Sequence, residues 1–451
     1  MRRTQAGVRF TFVLLAFEGP DGYARAGGLG TRVTSLSETL AALGVPVHFF
    51  FVGDPALPGE EARGRLHLHR WCQWISRYHP GGVYDGEEGK VSDYTRSLPP
   101  WLLAHVLRPA LAAGRHPVVL AEEWQTAEAL VALDALLRQA GLRHRAVLLW
   151  NANNTFGFHR IPWPRLAAAA TLLTISRYMR LLLARLGHEA LVVPNGIPTR
   201  LLRPPDPAAA ARLRAAAGEG PLLVKVARWD PDKNWALAVD ALALLKARLP
   251  GARLVARGGQ EPYGAEVLAH ARALGLRVAE AAPPPGDPDA LAAAIAAHPD
   301  ADLLVVATHL EEAALRPLYA AADAVLANSC HEPFGLVGLE AMAAGGVAVV
   351  GMTGEDYALD GWNAVVVQQS RALAVVERLL EVWAHPAQAA RLRQRARQTA
   401  RRFTWGRVVE RLLEVVLAQA RLQGLLHEER PATPSLEWLV PAYRRPLPVG
   451  R

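Results

Sequence analysis

The amino-acid sequence predicts an α/β protein made of two doubly wound, Rossmann-like domains that face each other across a cleft. Short apolar runs alternate with alanine- and leucine-rich helical stretches along most of the chain. This alternation is typical of parallel sheets covered by helices on both faces. At least ten runs have the character of strands, which is more than one small sheet holds. The 451 residues are also enough for two or three domains.

The strands are predicted from their apolar runs. In chain order these are RFTFVLLAF, VPVHFFFV, HPVVLA, RAVLLW, ALVVPNG, PLLVKVA, ARLVA, ADLLVVA, AVLANS and VAVV. The first run follows basic residues as in a signal peptide, but no A-x-A cleavage pattern accompanies it, so we expect a buried strand. Because no apolar run reaches ~18 residues, we expect no membrane span.

A proline-dense stretch marks the predicted boundary between the domains. It runs from Pro194 to Leu213 and leads into a fresh helical pattern. We therefore predict a first domain over residues 1–200 and a second over residues 201–402. Residues 403–426 form an amphipathic helix expected to pack back on the first domain. The proline-rich tail, residues 427–451, is expected to be extended or loose.

Composition narrows the class of protein. The chain is 51% hydrophobic and 20% charged, which indicates a globular protein. Its net charge of +8 comes almost wholly from arginine and would favour an anionic ligand or a membrane surface. No basic run is interleaved with aromatic residues, so nucleic acid is not an expected partner. The two cysteines exclude a disulfide framework and fit a cytoplasmic protein, in which we expect Cys330 to be a small buried residue.

The stretch HEPFGLVGLEAMAAGG, His331 to Gly346, joins a predicted strand to a predicted helix. A helix N-terminus binds anions, and Gly335 would let a phosphate approach the backbone closely. Glu332 would reach a hydroxyl-bearing part of the same ligand. Glu340, about two turns further on, could accept hydrogen bonds from ribose hydroxyls. A nucleotide sugar carries a sugar, a diphosphate and a ribose, and so satisfies all three positions.

This stretch resembles the E-x7-E signature of the family-4 retaining glycosyltransferases, which have the GT-B fold. VARWDPDKNW resembles the family's strand and loop that carry an arginine and a lysine for the donor diphosphate, here Arg228 and Lys233. PLYAAADAVLANS, VVPNGI and FTW also resemble family segments, so the resemblance covers roughly residues 9–425. It implies that the first domain binds the acceptor and the second the nucleotide sugar. Catalytic roles are implied for Arg228, Lys233 and Glu332, and donor-binding roles for Gly28, Phe334, Gly335, Leu336, Val337 and Glu340.

Two segments of the first half resemble the glycogen and starch synthases. RAGGLG resembles their glycine loop, with Arg25 in the place of a lysine, and EEWQT resembles their His-Asp-Trp segment. The place of the histidine that contacts the donor sugar in many relatives holds an asparagine. The resemblance thus implies acceptor or sugar contacts for Arg25, Glu123, Trp124 and Asn151. It leaves open whether His159, eight residues further on, takes the place of the histidine.

The chain departs from the family at two of these places. Asn151 cannot accept a proton, but in a front-face retaining mechanism the leaving phosphate oxygen can accept the proton of the acceptor. Where relatives carry Gly-Gly-x-x-Glu, this chain has GMTGEDYALDGWN, residues 351–363. The sugar contacts of that segment therefore stay open.

A metal-independent reaction without a cofactor is expected. The departing nucleoside diphosphate gains negative charge, which a metal or fixed cations and N–H dipoles can stabilise. An Asp-x-Asp pattern at Asp230 and Asp232 could indicate a metal site. The same pattern recurs at residues 287–289 and 300–302 beside proline, so we interpret all three as turns.

The acceptor is the least defined partner. The aromatic-rich stretch from His67 to Trp101 belongs to the first domain, where this fold binds acceptors, although lid and packing roles are commoner for such stretches. His67 and His69 are not expected to bind metal, because nothing nearby completes a ligand set.

The predicted function is retaining transfer of a hexose from a UDP-, GDP- or ADP-linked donor to a carbohydrate, sugar-phosphate or lipid acceptor, with peripheral contact at the inner membrane face left open. The alternatives are an ADP-glucose-type α-glucan synthase, a sugar-phosphate or disaccharide synthase, an inactive sugar- or nucleotide-binding protein, and a Rossmann oxidoreductase. The last would need G-x-G-x-x-G after the first strand, and GGLGTR lacks that spacing.

Overall fold

Two sheets organise the computed structural model, which describes residues 9–367 and 371–426. The first sheet contains β1 (Arg9–Leu15), β2 (Val47–Val52), β3 (Glu60–Arg63), β4 (Leu66–Trp71), β5 (Arg115–Glu122), β6 (Val147–Ala152), β7 (Thr171–Thr174) and β8 (Leu191–Val192). Their spatial order is β3-β4-β2-β1-β5-β6-β7-β8. The strands pair in parallel except for β3, which is antiparallel to β4.

The second sheet is parallel throughout. It contains β9 (Leu222–Val226), β10 (Arg253–Arg257), β11 (Val278–Ala281), β12 (Leu303–Val306), β13 (Ala324–Ala327), β14 (Ala348–Val350) and β15 (Val365–Val366), in the order β11-β12-β10-β9-β13-β14-β15. The predicted α/β class with two doubly wound sheets is confirmed, and each of the ten apolar runs contains a strand. Five strands were missed: β3, β4, β7, β11 and β15.

Helices cover the sheets. They are α1 (Gly28–Ala42), α2 (Gln73–Ser76), α3 (Glu87–Leu102), α4 (Arg108–Ala112), α5 (Ala127–Gln139), α6 (Trp163–Ala169), α7 (Arg177–Arg185), α8 (Pro207–Ala216), α9 (Trp235–Lys246), α10 (Tyr263–Ala273), α11 (Pro288–Ala296), α12 (Glu312–Ala321), α13 (Leu336–Ala344), α14 (Ala372–Trp383), α15 (Pro386–Ala400) and α16 (Trp405–Leu422). A π-helical turn, Leu103–Leu107, joins α3 to α4. Among the described helices, none is both long and apolar enough to cross a membrane.

The last helix returns to the first sheet. The buried face of α16, which includes Val409 and Leu412, packs in one apolar cluster with Phe12 of β1. The backbone at Ile197 pairs with the segment before α16, with Ile197 N donating to the Phe403 carbonyl at 2.8 Å. The first sheet thus ends at β8, and the chain comes back to it after the second sheet is complete. The domain limits at residues 200, 402 and 426 stay predictions, and the tail from residue 427 lies outside the described residues.

The two halves also touch beside the loops that follow the strands. The Arg177 backbone N–H, at the start of α7, donates to the Asp356 carboxylate at 2.7 Å. The Tyr178 hydroxyl lies 3.4 Å from His331 Nδ1. Ligands of doubly wound sheets bind beyond the carboxyl ends of the strands. The loops after β1, β5, β6, β9 and β13 are therefore the places where a ligand is expected.

Candidate active site

The helix start predicted from HEPFGLV is present. Gly335 is the N-cap of α13, in extended backbone, and among the described residues no side chain caps this helix. The first N–H groups of α13, from Leu336 onward, are therefore left to a ligand or water. Phe334 lies just before them and is buried against Tyr357, so its side chain packs in the protein. What this segment offers a ligand is its backbone.

A lysine and a glutamate from separate loops meet in front of this helix. The Lys233 ammonium donates to Glu332 Oε2 at 2.7 Å, and both side chains are about four-fifths buried. Lys233 ends a short 3-10 turn after β9 that is capped by the Asp230 side chain. The Cys330 N–H donates to the Asp232 carbonyl at 2.8 Å and ties the two loops together. The predicted proximity of Lys233 to the E-x7-E segment is thus present in the structure.

Arg228 reaches outward from the same loop. Its side chain is 66% exposed, and a guanidinium nitrogen lies 3.8 Å from Asp230. The loop backbone is fixed, because the Trp235 indole donates to the Arg228 carbonyl at 2.7 Å. The Trp229 N–H also donates to Glu261 at 2.9 Å. Arg228 is thus an exposed cation on the same fixed loop as Lys233.

Glu340 is the second acid of the motif. It lies on α13, one turn in from the helix start, and is half-buried. Loss of solvation, with a smaller repulsion from Glu312, raises the pKa of Glu340 to about 7. Burial disfavours the charged form unless a partner compensates it. A ligand that donates hydrogen bonds to this carboxylate would restore its charge.

A third acid near this helix was missed by the sequence analysis. Glu355 is buried, and the Thr353 N–H donates to its Oε2 at 3.1 Å. Among the described residues Glu355 Oε1 has no hydrogen-bond partner. A Cβ atom built on Gly335 would lie 3.2 Å from Glu355 Cγ and 3.3 Å from Glu332 Cγ, so both acids flank the helix start. Burial, with a smaller contribution from Glu332, raises the pKa of Glu355 to about 7.

A signal for Glu355 existed in the sequence. It has the spacing of the acid in the family pattern Gly-Gly-x-x-Glu, counted from Gly351, with Met352 in the place of the second glycine. Because Met352 replaces that glycine, the pattern was not recognised in the sequence.

The glycine loop of the first domain already holds an internal carboxylate. Glu18, which follows β1, accepts hydrogen bonds from Gly27 N and Gly30 N at 2.9 Å each, and from Ala26 N at 3.2 Å. The Tyr84 hydroxyl donates to the other Glu18 oxygen at 2.7 Å. These contacts were also missed, because they join segments far apart in the sequence. They show that the loop amides form an anion-binding concavity.

Two predicted residues of this loop are exposed. Gly28 begins α1, and a Cβ atom built there would meet nothing within 4 Å, so its backbone faces open space. Arg25 is exposed and donates to the Pro20 carbonyl at 3.0 Å. Both remain accessible to a ligand.

Asn151 is part of a buried network. Its Nδ2 donates to Glu122 Oε2 at 2.7 Å, and Asn153 donates to the same oxygen at 2.8 Å. The opposite side of Glu122 pairs with Arg32 at 3.1 Å, and Arg32 also donates to Asn195 at 2.7 Å. Asn151 is 0% exposed. Its hydrogen bond to Glu122 orients the carboxylate in this arrangement. Its contact with a donor sugar stays a prediction.

The EEWQT segment has an unusual backbone. Glu123 has φ 68°, in the left-handed region that residues other than glycine rarely adopt. Its Oε1 accepts from Asn153 N at 2.6 Å, and burial raises the pKa of its carboxyl to about 8. Trp124 is buried, and the guanidinium of Arg160 lies over its ring at 3.9 Å. His159, next to Arg160, is exposed on a 3-10 turn.

Two other expectations concern cysteine and metal. The prediction that Cys330 is buried is wrong: it is exposed, because β13 ends at Ala327 and the chain has already left the core. Asp230 and Asp287 each cap a helical turn through their own side chains, as the turn interpretation predicts. Among the described residues no group of three or more histidine, cysteine, aspartate or glutamate side chains is placed to hold a metal ion.

The chain resembles known glycosyltransferases over part of its length. Residues 212–399 match the family model "Glycosyl transferases group 1". A D-inositol 3-phosphate glycosyltransferase of Acidothermus cellulolyticus is 31% identical over 233 residues, which are 50% of this chain and 47% of that protein. A GDP-mannose-dependent α-(1-6)-phosphatidylinositol monomannoside mannosyltransferase of Mycolicibacterium smegmatis is 29% identical over 58% of this chain and 66% of that protein. The match thus spans about half the length of the first of these curated relatives.

Solved structures share the fold over nearly the whole chain. The catalytic domain of starch synthase IV from Arabidopsis thaliana, bound to ADP and acarbose, superposes with a TM-score of 0.66 at 16% identity, covering 92% of this chain and 100% of that one. Sucrose-phosphate synthase from Thermosynechococcus elongatus gives 0.64 at 18% identity with the same coverage. At these identities the likeness establishes the fold alone. Together the comparisons show a chain with the GT-B fold whose second half resembles the group 1 glycosyltransferases.

Proposed function

We propose that this protein transfers a hexose from a nucleoside-diphosphate sugar to an acceptor, with retention of configuration and without a metal ion. The observation that carries the proposal is the Lys233–Glu332 pair, 2.7 Å apart, in front of the uncapped start of α13. A fixed cation, a helix N-terminus and a hydroxyl-binding acid then meet in one place. The relatives named above are a D-inositol 3-phosphate glycosyltransferase and a GDP-mannose-dependent mannosyltransferase, which supports the same class of reaction here.

The leaving diphosphate is the group that these residues stabilise. As the glycosidic bond breaks, negative charge grows on the β-phosphate. Lys233, Arg228 and the N–H groups from Leu336 to Gly338 supply positive charge and donors at that position, aided by the dipole of α13. A preorganised donor of this kind lowers a barrier by about 3 kcal/mol. Gly28 would reach the same phosphates from the first domain when the cleft is closed.

The three acids of the second domain serve the sugar parts of the donor. Glu332, paired with Lys233, remains able to accept hydrogen bonds from hydroxyls of the transferred sugar. Glu355 adjoins it with an oxygen that has no partner among the described residues, and so offers a second acceptor there. Glu340, one turn into α13, is placed for the ribose hydroxyls. Two hydroxyl donors would offset the desolvation that raises the pKa of Glu340.

No protein base is needed for the acceptor proton. In a front-face reaction the departing phosphate oxygen accepts the proton as the acceptor hydroxyl attacks the anomeric carbon from the same side. Asn151 is buried against Glu122 and so stabilises the interior of the first domain. We infer that Arg25, Glu123, Trp124 and His159 shape or contact the acceptor side of the cleft.

The acceptor class has more than one candidate. The inositol phosphate and phosphatidylinositol compounds in the relatives' names favour a phosphorylated polyol or a lipid-linked acceptor. A lipid acceptor would fit α7, where Leu181 is 62% and Leu186 50% exposed beside Arg180 and Arg185. The starch synthase structure bound to ADP and acarbose instead favours ADP-glucose and a glucan.

One experiment tests the proposal directly. The full chain is incubated with UDP-glucose, ADP-glucose, GDP-mannose or GDP-glucose and, as acceptors, inositol 3-phosphate, glucose 6-phosphate or maltoheptaose. Release of the nucleoside diphosphate is measured with EDTA present, and proton NMR identifies the anomer of the product. We expect one donor–acceptor pair to give an α-linked product from an α-linked donor. Nucleotide binding with no transfer or donor hydrolysis for any pair would instead support an inactive binding protein.

A further inference from the structure

An aromatic groove lies on the first domain beside the predicted cleft. It has a volume of about 470 Å³ and lies between α2 and α3. Trp74 and Tyr78 form its exposed wall, with 61% and 79% of their surface accessible. His79, Ser92, Asp93 and Arg96 supply polar groups along the same groove. Apolar surface rimmed by polar side chains is a feature of ligand-binding grooves.

The backbone two residues before Trp74 is strained. Cys72, which ends the strand segment before α2, has φ 57°, in the left-handed region. Such a conformation costs a residue with a side chain roughly 1 kcal/mol or more and is concentrated at ligand sites. The indole N–H of Trp74 donates to Asp93 Oδ2 at 3.2 Å, which fixes the orientation of the ring. The Trp74 side of the groove is thus oriented before any ligand arrives.

The chemistry of the lining points to a neutral sugar chain. The apolar face of a pyranose ring packs on an aromatic ring, and its hydroxyls donate to carboxylates and accept from guanidinium or imidazole groups. Asp93 and Arg96 provide one group of each sign, so a phosphate or sulfate would meet the Asp93 carboxylate without a net positive field. An apolar surface alone would suit a membrane, but the polar groups of the groove would then lose water without gaining partners.

The groove is joined to the glycine loop by hydrogen bonds. The Tyr23 hydroxyl donates to the carbonyl of His79, a lining residue, at 2.7 Å. Buried Lys90 donates to the same Tyr23 hydroxyl at 2.7 Å and to the Gly82 carbonyl at 2.9 Å. Tyr23 itself precedes the RAGGLG loop. One short segment, residues 79–86, therefore separates the groove from the site in which the acceptor is expected.

We propose that the groove of Trp74 and Tyr78 binds the distal sugars of a neutral oligosaccharide acceptor, whose end enters the cleft past the glycine loop. This inference rests on the proposed function and selects a carbohydrate from the acceptor classes left open there. Stacking on two rings adds contacts for chains that are long enough to reach from the cleft to the groove. Short acceptors then lack these contacts.

The test uses binding to the full chain without nucleotide. Isothermal titration measures maltoheptaose, α-1,6-mannohexaose and cellohexaose as neutral chains, and dextran sulfate as an anionic one. Trp74→Ala and Tyr78→Ala are compared with Leu274→Ala, which removes a 43% exposed apolar side chain from the second domain. We expect at least one neutral chain to bind, and each groove substitution to weaken it about tenfold, the loss of about 1.4 kcal/mol. Leu274→Ala is expected to bind as the parent does.

The outcomes separate this inference from the proposed function. Both groove side chains are exposed, so the melting temperature should stay within about a degree and show that the variants are folded. If no neutral chain binds, or if the groove variants bind as well as the parent, the groove inference is wrong, even where transfer activity is present. If sedimentation with phosphatidylcholine vesicles depends on Trp74 and oligosaccharide binding does not, the surface is a membrane contact and the inference is again wrong. Thermal shift with UDP, ADP and GDP reports on the donor site independently.

Discussion

Replacing Lys233 by alanine tests the proposed replacement of a metal ion by fixed cations. The ammonium lies 2.7 Å from Glu332 and in front of the α13 N-terminus, so it is within reach of a diphosphate bound there. Loss of one preorganised donor to a developing oxyanion lowers kcat about 10²–10³-fold, or about 2.7–4 kcal/mol. The substitution also leaves Glu332 unpaired beside the diphosphate. This adds a repulsion that should weaken nucleotide binding as well.

The double variant resolves these two effects. Lys233→Ala with Glu332→Gln removes the unpaired charge. Nucleotide affinity should therefore recover in part, whereas kcat should stay low because the cation is still missing. Steady-state release of the nucleoside diphosphate gives kcat, and titration of the diphosphate gives its Kd. Arg212→Ala, which removes an exposed partner of Asp289 in the second domain, is the control and should behave as the parent. A decrease in kcat of less than about threefold for Lys233→Ala would refute the role given to this lysine.

Four further outcomes are expected. Glu332→Ala should lower turnover by orders of magnitude, whereas Glu340→Ala should mainly raise the Kd for the nucleotide; equal, mild effects would remove both acids from the site. Activity should persist in EDTA, and a loss restored by magnesium or manganese would contradict the metal-free mechanism. A saturating nucleoside diphosphate should compact the molecule in small-angle scattering, and Lys233→Ala should largely abolish the change; an unchanged parent profile would show that the halves are already fixed.

The last of the four concerns pH. Burial first, and then neighbouring imidazoles, lower the folded-state pKa values of His48 and His69 to about 3 and about 4, from 6.5. The unfolded chain then binds more protons below pH 6.5, so the free energy of unfolding should fall as pH decreases from there toward 4. In chemical denaturation His48→Gln should flatten that dependence; an unchanged slope would count against the assignment.

The fold could be predicted from the sequence because parallel strands are buried on both faces and so appear as continuous apolar runs. Three of the five missed strands, β3, β11 and β15, lie at sheet edges, where this signal is weaker. β3, Glu60–Arg63, is a charged antiparallel edge. β11, Val278–Ala281, is an edge strand of the second sheet and is only half-buried. Edge strands face solvent and carry polar residues, so a search for apolar runs does not find them.

The site was predictable where its parts are close in sequence. Gly335, Glu332 and Glu340 belong to one strand–loop–helix unit, and their spacing alone defines their relative positions. Glu18 and Tyr84, 66 residues apart, are joined by a hydrogen bond that only the folded chain brings about. Cys330 was mistaken for a core residue. The end of β13 is set by the loop whose backbone pairs with Asp232, and the hydrophobicity of the sequence does not reveal this contact.

Backbone strain connects the two sites proposed here. Among the described residues, the non-glycine positions with positive φ are Cys72, Glu123 and Asn234. Cys72 and Glu123 directly follow β4 and β5, and Asn234 follows the turn that ends at Lys233. All three are thus in loops beyond the carboxyl ends of parallel strands, the edge at which doubly wound sheets bind ligands. Strain persists only where the surroundings enforce it. Positive φ thus occurs two residues before Trp74, after a strand of the first sheet, and directly after Lys233, after a strand of the second.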